Sequence, residues 1–234
     1  MHVLARLLAV SVLVLALAGC GSDDDEPAVA ETTTAATTAA TTEGTTDTGD
    51  TVRCEEVEAP EPKQDGGQKA PTKELGPGKT YWLEVETSCG AFTITLDPQR
   101  AAKTVASLVS LAEGGFFDDT TFHRVVPGFV IQGGDPTGTG TGGPGYKTVD
   151  PPPQGARYTK GVVAMAKAGS EKAGTSGSQF FVVTGEDIGL PPDYAIVGEV
   201  TDGLETVMAI DRLGVSDGPP SMPVVIQQVS VEEE

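Results

Sequence analysis

Histidine is almost missing from this chain: among 234 residues there are only His2 and His123. His2 lies in a leading segment that reads as removed on export, so any imidazole chemistry rests on His123 alone. No Ser-His-Asp set can be assembled around it, and no cluster of metal ligands appears. His123 reads as a satisfied core histidine. Cysteine is scarce too, with three residues. Aromatic residues make up 5% of the chain, and none precedes Tyr81. The first third therefore has little with which to build a core. Basic residues are also short: 15 Lys and Arg stand against 34 Asp and Glu, a formal net charge of −19. That balance argues against nucleic acid, whose affinity rests on cations that neutralise phosphates, and against electrostatic adhesion to anionic lipid. The acid excess reads as solubility and a self-repelling leader.

What is present begins with an apolar run, Leu7 to Ala18, after "MHVLAR". It is shorter than the roughly 20 residues that span a bilayer and suits the core of an export signal. It ends in Leu17-Ala18-Gly19-Cys20, which resembles a bacterial lipobox. The resemblance implies a signal peptide over 1–19, cleavage before Cys20 and lipidation of its thiol. The expected location is the outer face of a bacterial cell membrane, held by that lipid only. An exported chain meets an oxidising environment, so Cys54 and Cys89 are expected to pair rather than stay as free thiols.

Residues 20–79 read as linker. "ETTTAATTAATTEGTTDTGD" has no apolar periodicity and cannot repay its ordering entropy, and "APEPKQDGGQKAPTKELGPGK" is Pro- and Gly-punctuated spacer. The folded domain is expected over 80–232. "YWLEVETSCGAFTITL" alternates on both sides of "SCG", predicting a hairpin. "DPQRAAKTVASLVSLAEGG" predicts a helix, with Asp97 able to cap it, Pro98 at its first position and Gly114 stopping it. Short runs follow ("TFHRVV", "FVIQGG", "GVVAMA", "SQFFVVT", "AIVGEV"), then a helix in "DGLETVMAIDRLG" and a last strand in "PVVIQQVSV". The pattern predicts a mainly β domain: a closed antiparallel barrel with a helix over each end.

One motif misleads. Gly138-Thr-Gly140-Thr-Gly142-Gly143 fits G-x-G-x-x-G, but "PGYKTVDPPPQG" follows it and cannot form the helix that a dinucleotide site requires. These glycines read as a loop whose backbone comes close to something.

Arg124 raises the functional question, because "FHRVVPGFVIQGGD" surrounds a guanidinium with apolar residues, a costly arrangement unless the charge is used. If His123 and Arg124 both lie in a strand, they point to opposite faces. Together with "GTGTGG", "VVAMAKAG" and "GSQFFVVT", in that order, this stretch resembles the cyclophilin family of peptidyl-prolyl cis/trans isomerases. The resemblance runs from about Tyr81 to Val231. It implies an eight-stranded barrel, a monomer, Pro-containing peptide segments as substrates, and no cofactor or metal.

Residue by residue, the resemblance makes Arg124 the catalytic group, supported by Gln132. It assigns the proline pocket to Phe129, Val130 (commonly Met), Phe181 and Leu190. Gln179 becomes a polar substrate contact, Ala166 and Lys167 the backbone that pairs with the peptide, and Thr141 the border of an adjoining pocket. Two positions depart from the family: Gly189 where Trp is common, and Tyr194 where His is common. Tyr194 keeps an aromatic body with a polar tip, so the proline pocket is expected to survive. The missing indole predicts weak binding of the family's cyclic-peptide inhibitor cyclosporin. Lys167 stands where Asn is common. Two other functions compete: a cyclophilin-like module that docks Pro segments without turnover, and a solute-binding lipoprotein, for which the domain is too small.

Overall fold

The hairpin expected around "SCG" organises the sheet. A computed structural model describes residues 52–72 and 74–234. The apolar run, Cys20 and the Thr/Ala tract lie outside the described residues. β1 (Tyr81–Thr87) and β2 (Gly90–Leu96) pair antiparallel, with Leu83 opposite Ile94 and Val85 opposite Phe92. Alternate side chains of both strands enter the core, as period-2 alternation requires. The remaining strands of the main sheet are β3 (Thr120–Thr121), β4 (Arg124–Val126), β5 (Val130–Gly133), β7 (Val162–Met165), β9 (Phe180–Val183), β10 (Ile196–Asp202) and β11 (Val225–Glu233). β6 (Thr148–Val149) and β8 (Thr175–Ser176) form a separate pair.

The strand order is β3-β11-β1-β2-β10-β7-β9-β5-β4, so nine strands form one antiparallel sheet instead of the eight expected. The sheet curls strongly into a half-barrel, and its edges β3 and β4 are not laddered to each other. The reason lies in "TFHRVV", expected as one strand. Phe122, 1% exposed, turns into the core and splits the run in two. Its ring packs edge-on against Phe180, at 6.2 Å between centroids.

Two helices cover the sheet, α1 (Ala102–Glu113) and α2 (Leu204–Asp211). α1 starts later than expected. Asp97 Oδ1 accepts from the N–H groups of Gln99 and Arg100, which closes a turn ahead of the helix. The first turn of α1 is held from a distance instead: the Asp150 carboxylate accepts from the Thr104 N–H at 2.7 Å. No helix among the described residues is long and apolar enough to cross a membrane.

The expected spacer reached residue 79, but its last part lies against the domain. Cys54 is disulfide-bonded to Cys89, and the backbone of Glu55, Lys63, Gly66 and Gln68 donates to Ser88, Pro136, Gly143 and Pro144. A segment without apolar periodicity is ordered here by a covalent tie and backbone hydrogen bonds rather than by its own core.

Candidate active site

Strand register assembles the site. Arg124 on β4 stands opposite Gln132 on β5, Gln132 opposite Phe181 on β9, and Phe181 opposite Ala164 on β7. Arg124 is thus placed by pairing across the sheet, as is Phe181 on the far side of Gln132. The Arg124 side chain is 30% exposed. Arg124 Nη1 donates to Gln132 Oε1 at 3.3 Å. Gln132 Nε2 donates to Gln179 Oε1 at 3.0 Å, and Gln179 Nε2 donates to the Gly142 carbonyl at 2.9 Å. The two glutamines form a chain that fixes one edge of the guanidinium.

The other side of Arg124 is held by a residue that sequence reasoning missed. Arg124 Nε donates to Asp217 Oδ1 at 2.6 Å, and the pairing holds the largely exposed Asp217 carboxyl below the usual carboxylate range. Among the described residues Nη2 makes no hydrogen bond, so it remains available for a ligand.

His123 does not face away from Arg124. It lies in the link between β3 and β4, outside the ladder, where strand alternation does not apply. Its Nε2 is 3.5 Å from Gln132 Nε2. Nor is it a satisfied core residue: it is half-buried, and its buried Nδ1 has no hydrogen-bond partner of good geometry. Burial, reinforced by the Arg124 charge and only partly offset by Asp135, pushes the imidazole below its usual pKa.

The expected proline-pocket residues come together in a cluster distinct from the main core. Val130 and Phe181 are buried with Tyr158, Val162, Ala164, Val183 and Ile196; Phe129, Leu190, Tyr194 and Ala166 pack on them half-exposed. Tyr194 meets Phe181 edge-on, with centroids 5.6 Å apart. Lys167 Nζ lies 5.5 Å from the centre of the Tyr194 ring. Tyr158, which is fully buried, was not singled out from the sequence. Its hydroxyl donates to the Tyr194 carbonyl at 2.7 Å and accepts from the Tyr194 N–H at 3.0 Å, which locks that residue's backbone. Asp211, at the end of α2, accepts from the Gly128 N–H with both oxygens and so orients the turn into Phe129. Gly189 is exposed at φ +63°, with open space around it.

An adjoining cavity of about 330 Å³ is bordered by Gln132, Thr141, Ala166, Lys167, Glu171 and Gln179. The Ala166 N–H already donates to the Gln179 carbonyl, so only the Ala166 carbonyl can pair with an incoming peptide. The loop behind Thr141 is the glycine-rich motif, and what its backbone approaches is the Asp135 carboxylate. Asp135 accepts from Thr137 N–H, Thr137 hydroxyl, Gly140 N–H and Gly142 N–H, at 2.7, 2.8, 2.6 and 3.1 Å. Burial would raise its pKa; the hydrogen bonds from Thr137, Gly142 and Gly140 outweigh burial and hold it below the ordinary value. A Cβ on Gly142 would stand 2.2 Å from Asp135 Oδ1, so this position requires glycine. A wider groove of about 430 Å³, between residues 97–100 and strands β2 and β10, is lined by none of the site residues expected from the sequence. Among the described residues no group of three or more His, Cys, Asp or Glu could hold a metal ion.

Comparison with known proteins identifies the family. Residues 82–231 match the family described as cyclophilin type peptidyl-prolyl cis-trans isomerase. A protein of Mycobacterium tuberculosis, peptidyl-prolyl cis-trans isomerase A, is 40% identical over 175 residues, covering 66% of this chain and 94% of its own length. Peptidyl-prolyl cis-trans isomerase B of Bacillus subtilis is 49% identical over 112 residues, covering 47% of this chain and 76% of its own. The crystal structure of a cyclophilin type isomerase from Cryptosporidium parvum superposes with a TM-score of 0.60 at 30% identity, covering 65% of this chain and 98% of that one. This chain belongs to the cyclophilin-type peptidyl-prolyl cis-trans isomerase family.

Proposed function

We propose that this protein accelerates cis/trans isomerisation of X-Pro bonds in exported proteins and that Arg124 is its catalytic residue. Rotating an amide costs about 18–20 kcal/mol because resonance is lost, and X-Pro bonds exchange in tens to hundreds of seconds unaided. In the twisted transition state the prolyl nitrogen becomes pyramidal and gains a lone pair. A guanidinium N–H can donate to that lone pair and has little to donate to in the planar ground state, which is the differential binding that catalysis needs. Arg suits the task because it stays charged and presents a rigid fork.

The observation that carries this reading is the clamping of Arg124 by Gln132 and Asp217 beside the Phe129–Phe181–Tyr194 cluster. Phe129, Val130, Phe181, Leu190 and Tyr194 would grip the proline ring. Gln132, Gln179, Ala166 and Lys167 would hold the flanking peptide, with Thr141 at the adjoining pocket. Every step is a hydrogen bond or a rotation. The role is assistance to folding at the outer face of the membrane, with the domain tethered through lipid on Cys20.

The test is prolyl exchange by NMR on an Ala-Pro peptide, without a coupling protease. Wild type should accelerate exchange, and Arg124→Ala should lose about 10²-fold while still folded. Equal inertness of both, with peptide binding retained, would make the domain a reader of Pro segments. For the tether, cells fed labelled palmitate should label the wild-type protein and not Cys20→Ser; label on both would remove Cys20 as the anchor.

A further inference from the structure

The family match begins at residue 82, yet residues 54–68 lie along the domain ahead of it. Their course is specific. Cys54 is bonded to Cys89 at the tip of the β1–β2 hairpin. Lys63 Nζ reaches the carbonyl of Asp118, and Lys63 N–H donates to Pro136. At Gly66 the segment meets the glycine-rich loop backbone to backbone: a Cβ on Gly145 would stand 3.1 Å from Gly66 Cα. The Gly66 N–H donates to the Gly143 carbonyl at 2.9 Å, and the Gly143 N–H donates to Asp65 Oδ1 at 2.8 Å.

These bonds end where the substrate groove begins. Gly142, the residue before Gly143, offers its carbonyl to Gln179, which holds Gln132, which holds Arg124. The loop is thus fastened from inside by Asp135 and from outside by Asp65. We infer that residues 54–68 are a strap that sets the wall of the adjoining pocket. Asp65 is its positioning residue, acting through Gly143 and Gly142 on Gln179, so that the segment ahead of the catalytic domain tunes which peptides the site accepts. The inference rests on the isomerase reading above.

The experiment uses the full chain in detergent and a panel of peptides varied at each position around one proline, with kcat and KM measured separately by NMR exchange. Asp65→Ala should raise KM about 3- to 10-fold for peptides long enough to reach the pocket, the size expected for one lost hydrogen bond. It should leave kcat and the minimal Ala-Pro substrate unchanged. Asp65→Asn keeps an acceptor for the Gly143 N–H and should restore the wild-type profile. The amide signals of Gly142 and Gly143 and the side-chain amide of Gln179 should shift in Asp65→Ala and not in Asp65→Asn. The double variant Cys54→Ser, Cys89→Ser frees the far end of the strap and should change the same peptides in the same direction. An active wild type with an Asp65→Ala profile identical to it overturns the strap. A wild type that turns over none of the peptides overturns the isomerase reading and the strap's role with it.

Discussion

Replacing Asp135 by Asn tests how the glycine-rich loop is held. Asp135 is 0% exposed and receives four hydrogen bonds, two on each carboxylate oxygen. An amide keeps one acceptor, which can stay with Thr137. Its NH₂ then faces the N–H groups of Gly140 and Gly142, donor against donor. Two hydrogen bonds to a charged group are lost, each worth about 1.5–3 kcal/mol, and part of that is recovered by local relaxation. A destabilisation of about 3 kcal/mol is expected, or about 6–12 °C in Tm for a domain of this size. The assay is thermal unfolding followed by circular dichroism at pH 7. The pH dependence follows by linkage: the folded carboxyl lies below its unfolded value, so it stabilises the fold above about pH 4, and that contribution is lost as pH falls through the folded value. The variant should lose this part of the acid sensitivity. A Tm within 2 °C of wild type at pH 7 would refute the claim that this carboxylate fastens the loop.

Other predictions follow from the same geometry. His123 takes up a proton less readily folded than unfolded, so wild-type stability should fall as pH drops through about 6.5, and His123→Phe should flatten that limb of a Tm-against-pH curve. Phe181→Ala should cost about 3–5 kcal/mol by denaturant unfolding and also raise KM, since the ring both fills the second cluster and lines the proposed proline pocket. Tyr158→Phe leaves the Tyr194 N–H and carbonyl without their partner; a loss of about 1–3 kcal/mol is expected by the same method, with reduced turnover as Tyr194 loosens. Asp217→Asn should lower kcat a few-fold and spare the fold, because the carboxylate is exposed and among the described residues its hydrogen-bond partner is Arg124; unchanged kcat would reduce that pair to a surface contact.

The sequence made the site legible through pattern and the fold through alternation, and each signal has a limit. The hairpin and the buried faces of its strands were readable because period 2 separates core from solvent along each strand. The edges of "TFHRVV" were not, because a single inward Phe122 breaks a run that alternation reads as continuous. The conjunction of Arg124, Phe129, Gln132, Gln179 and Phe181 was readable, but the register that aligns Arg124 with Gln132 and Phe181 was not.

The largest omission was the acids. With 34 Asp and Glu and few cations, every carboxylate but the expected cap Asp97 reads as solubility. Yet Asp150 holds the first turn of α1, Asp211 the turn before Phe129, Asp135 the loop behind Thr141, and Asp217 the guanidinium itself. Three of the four accept backbone N–H groups far from them in sequence or curled back around them. Such N–H groups become orphans only once the chain has folded. A carboxylate needs no apolar neighbour or periodic spacing to serve them, so nothing in the local sequence marks it. The same reasoning applies to the strap. Its composition could not repay its ordering entropy alone, but a disulfide removes part of that entropy from the unfolded chain. Backbone hydrogen bonds to a glycine-rich loop, joined by the side chains of Lys63 and Asp65, then hold the strap without a core of its own. The chain's polar, low-periodicity parts are therefore where its groove is held in shape, and the apolar alternation decides only where the groove is built.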